Sequence, residues 1–99
     1  MVLRWLAAAL ADLRAIKVYI AKNNPDAARR VVASIRSETG ILISQPTMGR
    51  AGRISCTREL VISQYPYIVA YRGQGGEVHI IAVVHTSRRW PEQLSKGKK

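Results

Sequence analysis

From Ala8 to about Lys22 apolar residues return at Leu10, Leu13, Ile16 and Ile20, in steps of three and four. That spacing writes one buried stripe along a helix, and Asp12, Arg14 and Lys22 are expected on its wet side. The preceding run, Val2 to Leu6, reads as a short strand with Trp5 as its core anchor. The helix breaks at the sequence NNPDAA. Asn24 is placed to cap a second helix, Pro25 suits its first position, and Asp26 complements the positive end of its dipole. Ala28, Val31, Val32, Ile35, Thr39 and Leu42 then repeat at helical spacing until Pro46 stops the pattern, while Arg29, Arg30 and Arg36 face away. So short a link makes the two helices an antiparallel hairpin.

The periodicity changes after SQPTMGRAGRISCT, a stretch of turn formers that carries Arg50 and Arg53 and is expected to be a basic loop. Three β-rich runs follow: TRELVI from Thr57, YIVAYR from Tyr67 and EVHIIAVVH from Glu77, with turn chemistry at SQYP and GQGG. They predict a three-stranded meander. The fold class expected is therefore α+β: an N-terminal strand, then an antiparallel helical hairpin packed on one face of a mainly antiparallel sheet that the meander completes, the other face staying partly open. In the last run Val78, Ile80, Ala82 and Val84 share one side, expected to face the helices, and His79, Ile81, Val83 and His85 share the other.

Composition narrows the function. The chain has 99 residues, 47% of them hydrophobic, enough for one small core and no second domain. The expected organisation is a single domain over 1–91 with a basic, solvated tail over 92–99. Sixteen Lys+Arg against six Asp+Glu give a formal charge of +10, a field suited to nucleic acid or to an acidic protein that covers the surface. A single cysteine, Cys56, excludes an internal disulfide and a multi-cysteine metal site, and it lies in no nucleophile motif; neither a metal nor a cofactor is expected. The opening MVLRWLAAAL has the flavour of a secretion signal, but Asp12 and Arg14 interrupt it, and no segment is long enough for a membrane span; a cytoplasmic protein is expected.

Several stretches carry a resemblance: ADLRAIKVYIAKNNPDAA in the hairpin, PTMGRAGRISCTRELVI across loop and strand, YIVAYR, and HTSRRWP at the end. Together with the order strand, helix, helix, three strands, they resemble the RelE/ParE superfamily of bacterial toxins from type II toxin–antitoxin modules, in its ParE-like branch, from about Trp5 to Pro91. The resemblance implies a growth-inhibiting toxin, of plasmid or chromosomal stability modules, that a cognate antitoxin neutralises in a hetero-oligomer and that reaches operator DNA only through that antitoxin. ParE-like members are associated with inhibition of DNA gyrase. RelE-like members cut messenger RNA on the ribosome.

The two activities ask for different residues. Metal-free RNA cleavage needs a base, an acid and cations on the phosphate. Glu59 as base, His85 as acid, and Arg72, Arg53 or Arg88 on the phosphate are the candidates for those roles, and whether Glu59 and His85 share a face depends on strand register. No lysine lies between Lys22 and Lys96, and arginine stays protonated, so none of the central cations is a base. An inhibitor needs only a recognition surface. Arg50 and Arg53 in the loop, with His85, Arg88, Arg89 and Trp90 at the strand exit, are the expected target-binding set, Trp90 pinning the segment so that the arginines face outward. The antitoxin is expected on the helical hairpin at Leu13, Ile16, Ile20, Val31 and Ile35, helped by the charge of +10.

Overall fold

The computed structural model describes residues 2–87. Strand β1, Val2–Trp5, leads into helix α1, Ala7–Ala21, whose six alanines favour a helix without a side-chain cap. The Ile20 carbonyl accepts from the N–H groups of both Asn23 and Asn24, ending α1. Asn24 then opens helix α2, Pro25–Gly40: its side-chain oxygen accepts from the Ala27 N–H at 3.0 Å, with Pro25 in the first turn. One turn of 3-10 helix, Ile41–Ile43, carries the same apolar stripe on to buried Leu42. Thr39 can sit in that stripe because its hydroxyl donates back to the Ile35 carbonyl at 2.6 Å.

Four further strands follow: β2, Arg50–Ala51; β3, Arg58–Val61; β4, Tyr67–Gln74; and β5, Glu77–His85. The spatial order is β1-β5-β4-β3-β2. β1 lies parallel to β5 and all other neighbours are antiparallel, which is the expected mainly antiparallel sheet under a helical hairpin. The two-residue β2 lies inside the segment expected to be a loop; two residues leave no periodicity to read. Gly75 and Gly76 take φ of 57° and 78° between Gln74 and Glu77, a two-residue hairpin turn that side chains would strain.

The core forms between the helices and one sheet face. Ala9 and Leu13 of α1, Val31 and Ile35 of α2, Leu42, and Leu60, Val69, Tyr71, Val78, Ile80 and Val83 of the sheet form one cluster, with Leu3, Trp5, Ile16 and Ile20 packed against it. Trp5 is half-buried rather than fully sunk, its ring lying 5.5 Å from the Arg36 guanidinium carbon. One expectation about β5 fails. Val78 and Ile80 do face the helices, but Ala82 and Val84 join Ala70 in a second small cluster on the opposite face, under Ile68 and Ile81, and Val83 takes the helix side instead. The cause is a β-bulge: Ala70 pairs with Ala82 while Tyr71 pairs with Ile80, so Ile81 is the extra residue and the alternation reverses after it.

Candidate functional site

Two surfaces carry the polar side chains that sequence singled out. The first is the sheet face away from the helices. Glu59 pairs in register with Ala70, whose partner is Ala82, so its side chain points to this face. It is 5% exposed, and its carboxylate accepts from the Arg50 guanidinium at 3.3 Å and from the Arg53 backbone N–H at 3.4 Å. A buried carboxylate thus ties down both arginine positions of the basic segment. Arg72 is exposed on the same face, directly opposite His79 on β5, which in turn lies opposite Arg4 on β1. Glu77 collects that end: Arg4 donates to it through Nε at 3.2 Å and Nη2 at 3.0 Å, and His79 Nε2 lies 2.8 Å away. The bidentate Arg4 contact first, and His79 second, hold the Glu77 carboxyl at about 2, well below its usual range.

The basic segment is also braced from the core side. Tyr71, 1% exposed, donates its hydroxyl to the Pro46 carbonyl at 2.9 Å and accepts the Gly49 N–H at 2.8 Å. Its register partner Arg58 donates to the carbonyls of Thr47, at 3.3 Å, and Gly49, at 2.8 Å. Gly49 is required by closeness: a Cβ there would sit 2.6 Å from the Tyr71 hydroxyl. Cys56, exposed and at φ 67°, turns the chain before β3.

The second surface is a groove of about 520 Å³ beside α1, lined by Asp12, Ala15, Ile16 and Tyr19 and floored by Tyr67, Val83 and His85. His85 pairs with Tyr67 and meets its ring edge-on at 5.3 Å, which places it on the helix side of the sheet. The Ser87 N–H donates to His85 Nδ1 at 3.1 Å, so the neutral ring carries its proton on Nε2. Asp12, expected on the wet side of α1, is half-buried here and accepts the Val83 N–H at 3.0 Å. That N–H needs an acceptor because β1 accompanies β5 only as far as Ile80. Burial raises the Asp12 carboxyl above its usual range, partly opposed by the Val83 hydrogen bond, and burial first, then Tyr19, raises the Tyr67 phenol. Sequence held a signal for Asp12, since it shares a helical face with Ile16 and Tyr19, at steps of four and three.

The structure does not bring the acid–base candidates together. Glu59 and Arg72 occupy the face away from the helices, whereas His85 occupies the helix side. Along the sheet His85 is also three residues beyond the Ala82 that aligns with Glu59, roughly 10 Å, and two strands across, another ~10 Å. A protonated imidazole, as a general acid requires, also loses the acceptor that the Ser87 N–H uses. Of the target-binding set, Arg50 and Arg53 are exposed together, His85 lies apart in the groove, and Arg88, Arg89 and Trp90 lie outside the described residues. Of the expected antitoxin set, Leu13, Val31 and Ile35 are buried in the core and Ile16 and Ile20 pack against it, the apolar stripe of the hairpin covering the sheet. The large apolar side chains that α1 exposes are Val18 and Tyr19, the latter 73% exposed at the groove rim.

A family model described as the ParE toxin of the type II toxin–antitoxin system parDE matches residues 3–90. The chain belongs to the ParE toxin family. Relatives agree with that membership: a putative toxin, Y4kP, of Sinorhizobium fredii is 46% identical over 93% of this chain and 95% of its own. Toxin RelE2 of Caulobacter vibrioides is 37% identical over 85% and 93%. Among solved structures, the chromosomal ParDE system of P. aeruginosa superposes with a TM-score of 0.78 at 27% identity, over 86% of this chain and 95% of that one. The isolated E. coli RelE toxin superposes at 0.61 with 12% identity, over 98% and 96%, a likeness of fold. This ParE-family protein is thus a type II toxin of the ParE/RelE superfamily, and an antitoxin partner comes with that membership. No helix among the described residues is long and apolar enough to cross a membrane.

Proposed function

We propose that the protein is a ParE-type toxin that inhibits DNA gyrase in the cytoplasm by binding, without bond-breaking chemistry of its own, and that a cognate antitoxin releases the inhibition. The observation that carries this reading is the separation of Glu59 from His85 by the sheet itself, with Glu59 committed to Arg50 and the Arg53 backbone. A carboxylate engaged in this way acts as a brace for a basic recognition segment rather than as a proton acceptor for a 2′-hydroxyl. Arg50, paired with Glu59, and Arg53, held by its backbone to the same carboxylate, supply cations to the target surface together with exposed Arg72 on the same sheet face.

The competing reading is a ribosome-dependent messenger RNA endonuclease of the RelE type, which the 37% identical relative named RelE2 keeps in play. One experiment separates them. Purified toxin is offered gyrase with supercoiled DNA, and separately ribosomes programmed with message. Accumulated gyrase–DNA cleavage complexes with intact message are expected. Message cleavage that His85→Ala abolishes would overturn the inhibitor reading.

A further inference from the structure

The groove beside α1 contains the acidic residue whose chemistry the fold explains least. Of the five carboxylates among the described residues, Asp26, Glu59 and Glu77 each pair with an arginine, and Glu38 accepts from the Ser63 N–H and hydroxyl. Among the described residues Asp12 has one hydrogen-bond partner, the Val83 N–H on Oδ2, and no lysine or arginine beside it. For the fold, any acceptor at that position suffices. An asparagine oxygen would also accept the Val83 N–H and would carry no charge into a half-buried site, where charge is costly. The carboxylate therefore costs stability that the hydrogen bond alone does not require. Among the described residues its surroundings supply no lysine or arginine: Ala15, Ile16 and Val83 are apolar, Tyr19 and Tyr67 are phenols, Ser87 is a hydroxyl, and His85 Nδ1 is already taken by the Ser87 N–H.

We propose that Asp12 is the specificity anchor for the antitoxin: the groove accepts an antitoxin segment that sets a lysine or arginine against the second Asp12 oxygen and an apolar side chain on Ile16 and Val83. This rests on the family's antitoxin partnership and names the place and chemistry of the contact. Charge complementarity selects the occupant, since a local negative site in a +10 protein repels the acidic stretches that the rest of the surface attracts. One face of α1 thus reads for a cation while the remaining surface reads for acid, and a partner must match both to seat in register. Exposed Tyr19 and Val18 flank the site as apolar rim, and the seated segment covers His85.

The test is calorimetric titration of purified toxin with full-length cognate antitoxin, comparing wild type with Asp12→Asn and with the exposed-charge control Asp26→Asn. Thermal melts of each toxin accompany the titrations. Asp12→Asn should melt no lower than wild type yet bind antitoxin on the order of 30-fold or more weaker, the cost of stripping one partner from a desolvated charge pair. Asp26→Asn should bind as wild type does. In cells, antitoxin co-expression should no longer restore growth against Asp12→Asn toxin. Unchanged affinity of Asp12→Asn, or an equal loss from Asp26→Asn, would overturn the proposal while leaving the toxin assignment intact. Wild-type toxin that fails to bind the antitoxin at all would remove the partnership on which both rest.

Discussion

Replacing Tyr71 by phenylalanine removes one oxygen from the core and tests whether the basic segment is held from beneath. The ring stays, so the apolar packing against Val69 and Ile80 is kept, and only the hydroxyl's two bonds are lost. Those bonds satisfy the Gly49 N–H and the Pro46 carbonyl, and Gly49 is itself buried. Each buried polar group left without a partner costs ~1–3 kcal/mol, so the pair should cost about 2–4 kcal/mol when some water reaches the loop side. A domain of this size has roughly 5–15 kcal/mol to lose. Its melting temperature should fall on the order of 10–20 °C. Urea unfolding gives the free energy, and amide exchange at Gly49 reports the loop directly, since its N–H becomes unprotected in the variant. A second consequence follows from connectivity: Gly49 leads into Arg50, so a loosened anchor should weaken target binding more than antitoxin binding at α1. A loss under about 0.5 kcal/mol, the range of ordinary surface changes, with Gly49 still protected, would refute the idea that Tyr71 braces this segment.

Two further outcomes follow from the same geometry. Glu77 titrates at about 2 in the folded chain against an ordinary 4.5, so its carboxylate adds stability at neutral pH that fades as pH falls from about 5 toward 2; the melting-temperature gap between wild type and Glu77→Gln should close over that window, and a gap as wide at pH 3 as at pH 7 would contradict it. Cys56→Gly should stabilise by about 0.5–1 kcal/mol, because a left-handed backbone costs a non-glycine residue ~1–2 kcal/mol and the glycine's added freedom when unfolded returns only part of it; Cys56→Ala should gain nothing, and equal urea midpoints for the two variants would show the φ of 67° to be unstrained.

The architecture was legible where local chemistry and periodicity agreed. The NNPDAA corner names its own cap, and the structure uses Asn24 as that cap; the glycine pair before Glu77 names its own turn. The stripes at Leu13 and Ile16 and at Val31 and Ile35 were equally clear, but their use was not, because an apolar face looks the same whether it meets a sheet or a partner protein. Packing inside the chain claims such a face first, and here β1, β3, β4 and β5 consume it. The burial of Asp12 is hidden for the converse reason. A lone carboxylate near a helical stripe reads as solvated unless one knows that β1 stops at Ile80 and leaves the Val83 N–H in need of an acceptor.

The bulge at Ile81 is the feature on which the functional reading turns, and it is the one that sequence hides. Residues 80–84 are apolar at both odd and even positions, so shifting the alternation by one costs no hydrophobic burial and breaks no pattern. With unbroken alternation after Ile80, His85 would share the face of Glu59 and Arg72, and a base, an acid and a cation would look across one surface. The extra residue turns His85 to the other side, against Tyr67 and within reach of Ser87, and at the same time points the Val83 side chain into the core. One inserted position thus dismantles a ribonuclease-like constellation and builds the floor of the α1 groove. The acid–base candidates are divided between two surfaces: an arginine-bearing one braced by Glu59 and Tyr71, and a groove that holds Asp12. On the reading proposed above, the toxin engages its target through the first surface and its antitoxin through the second.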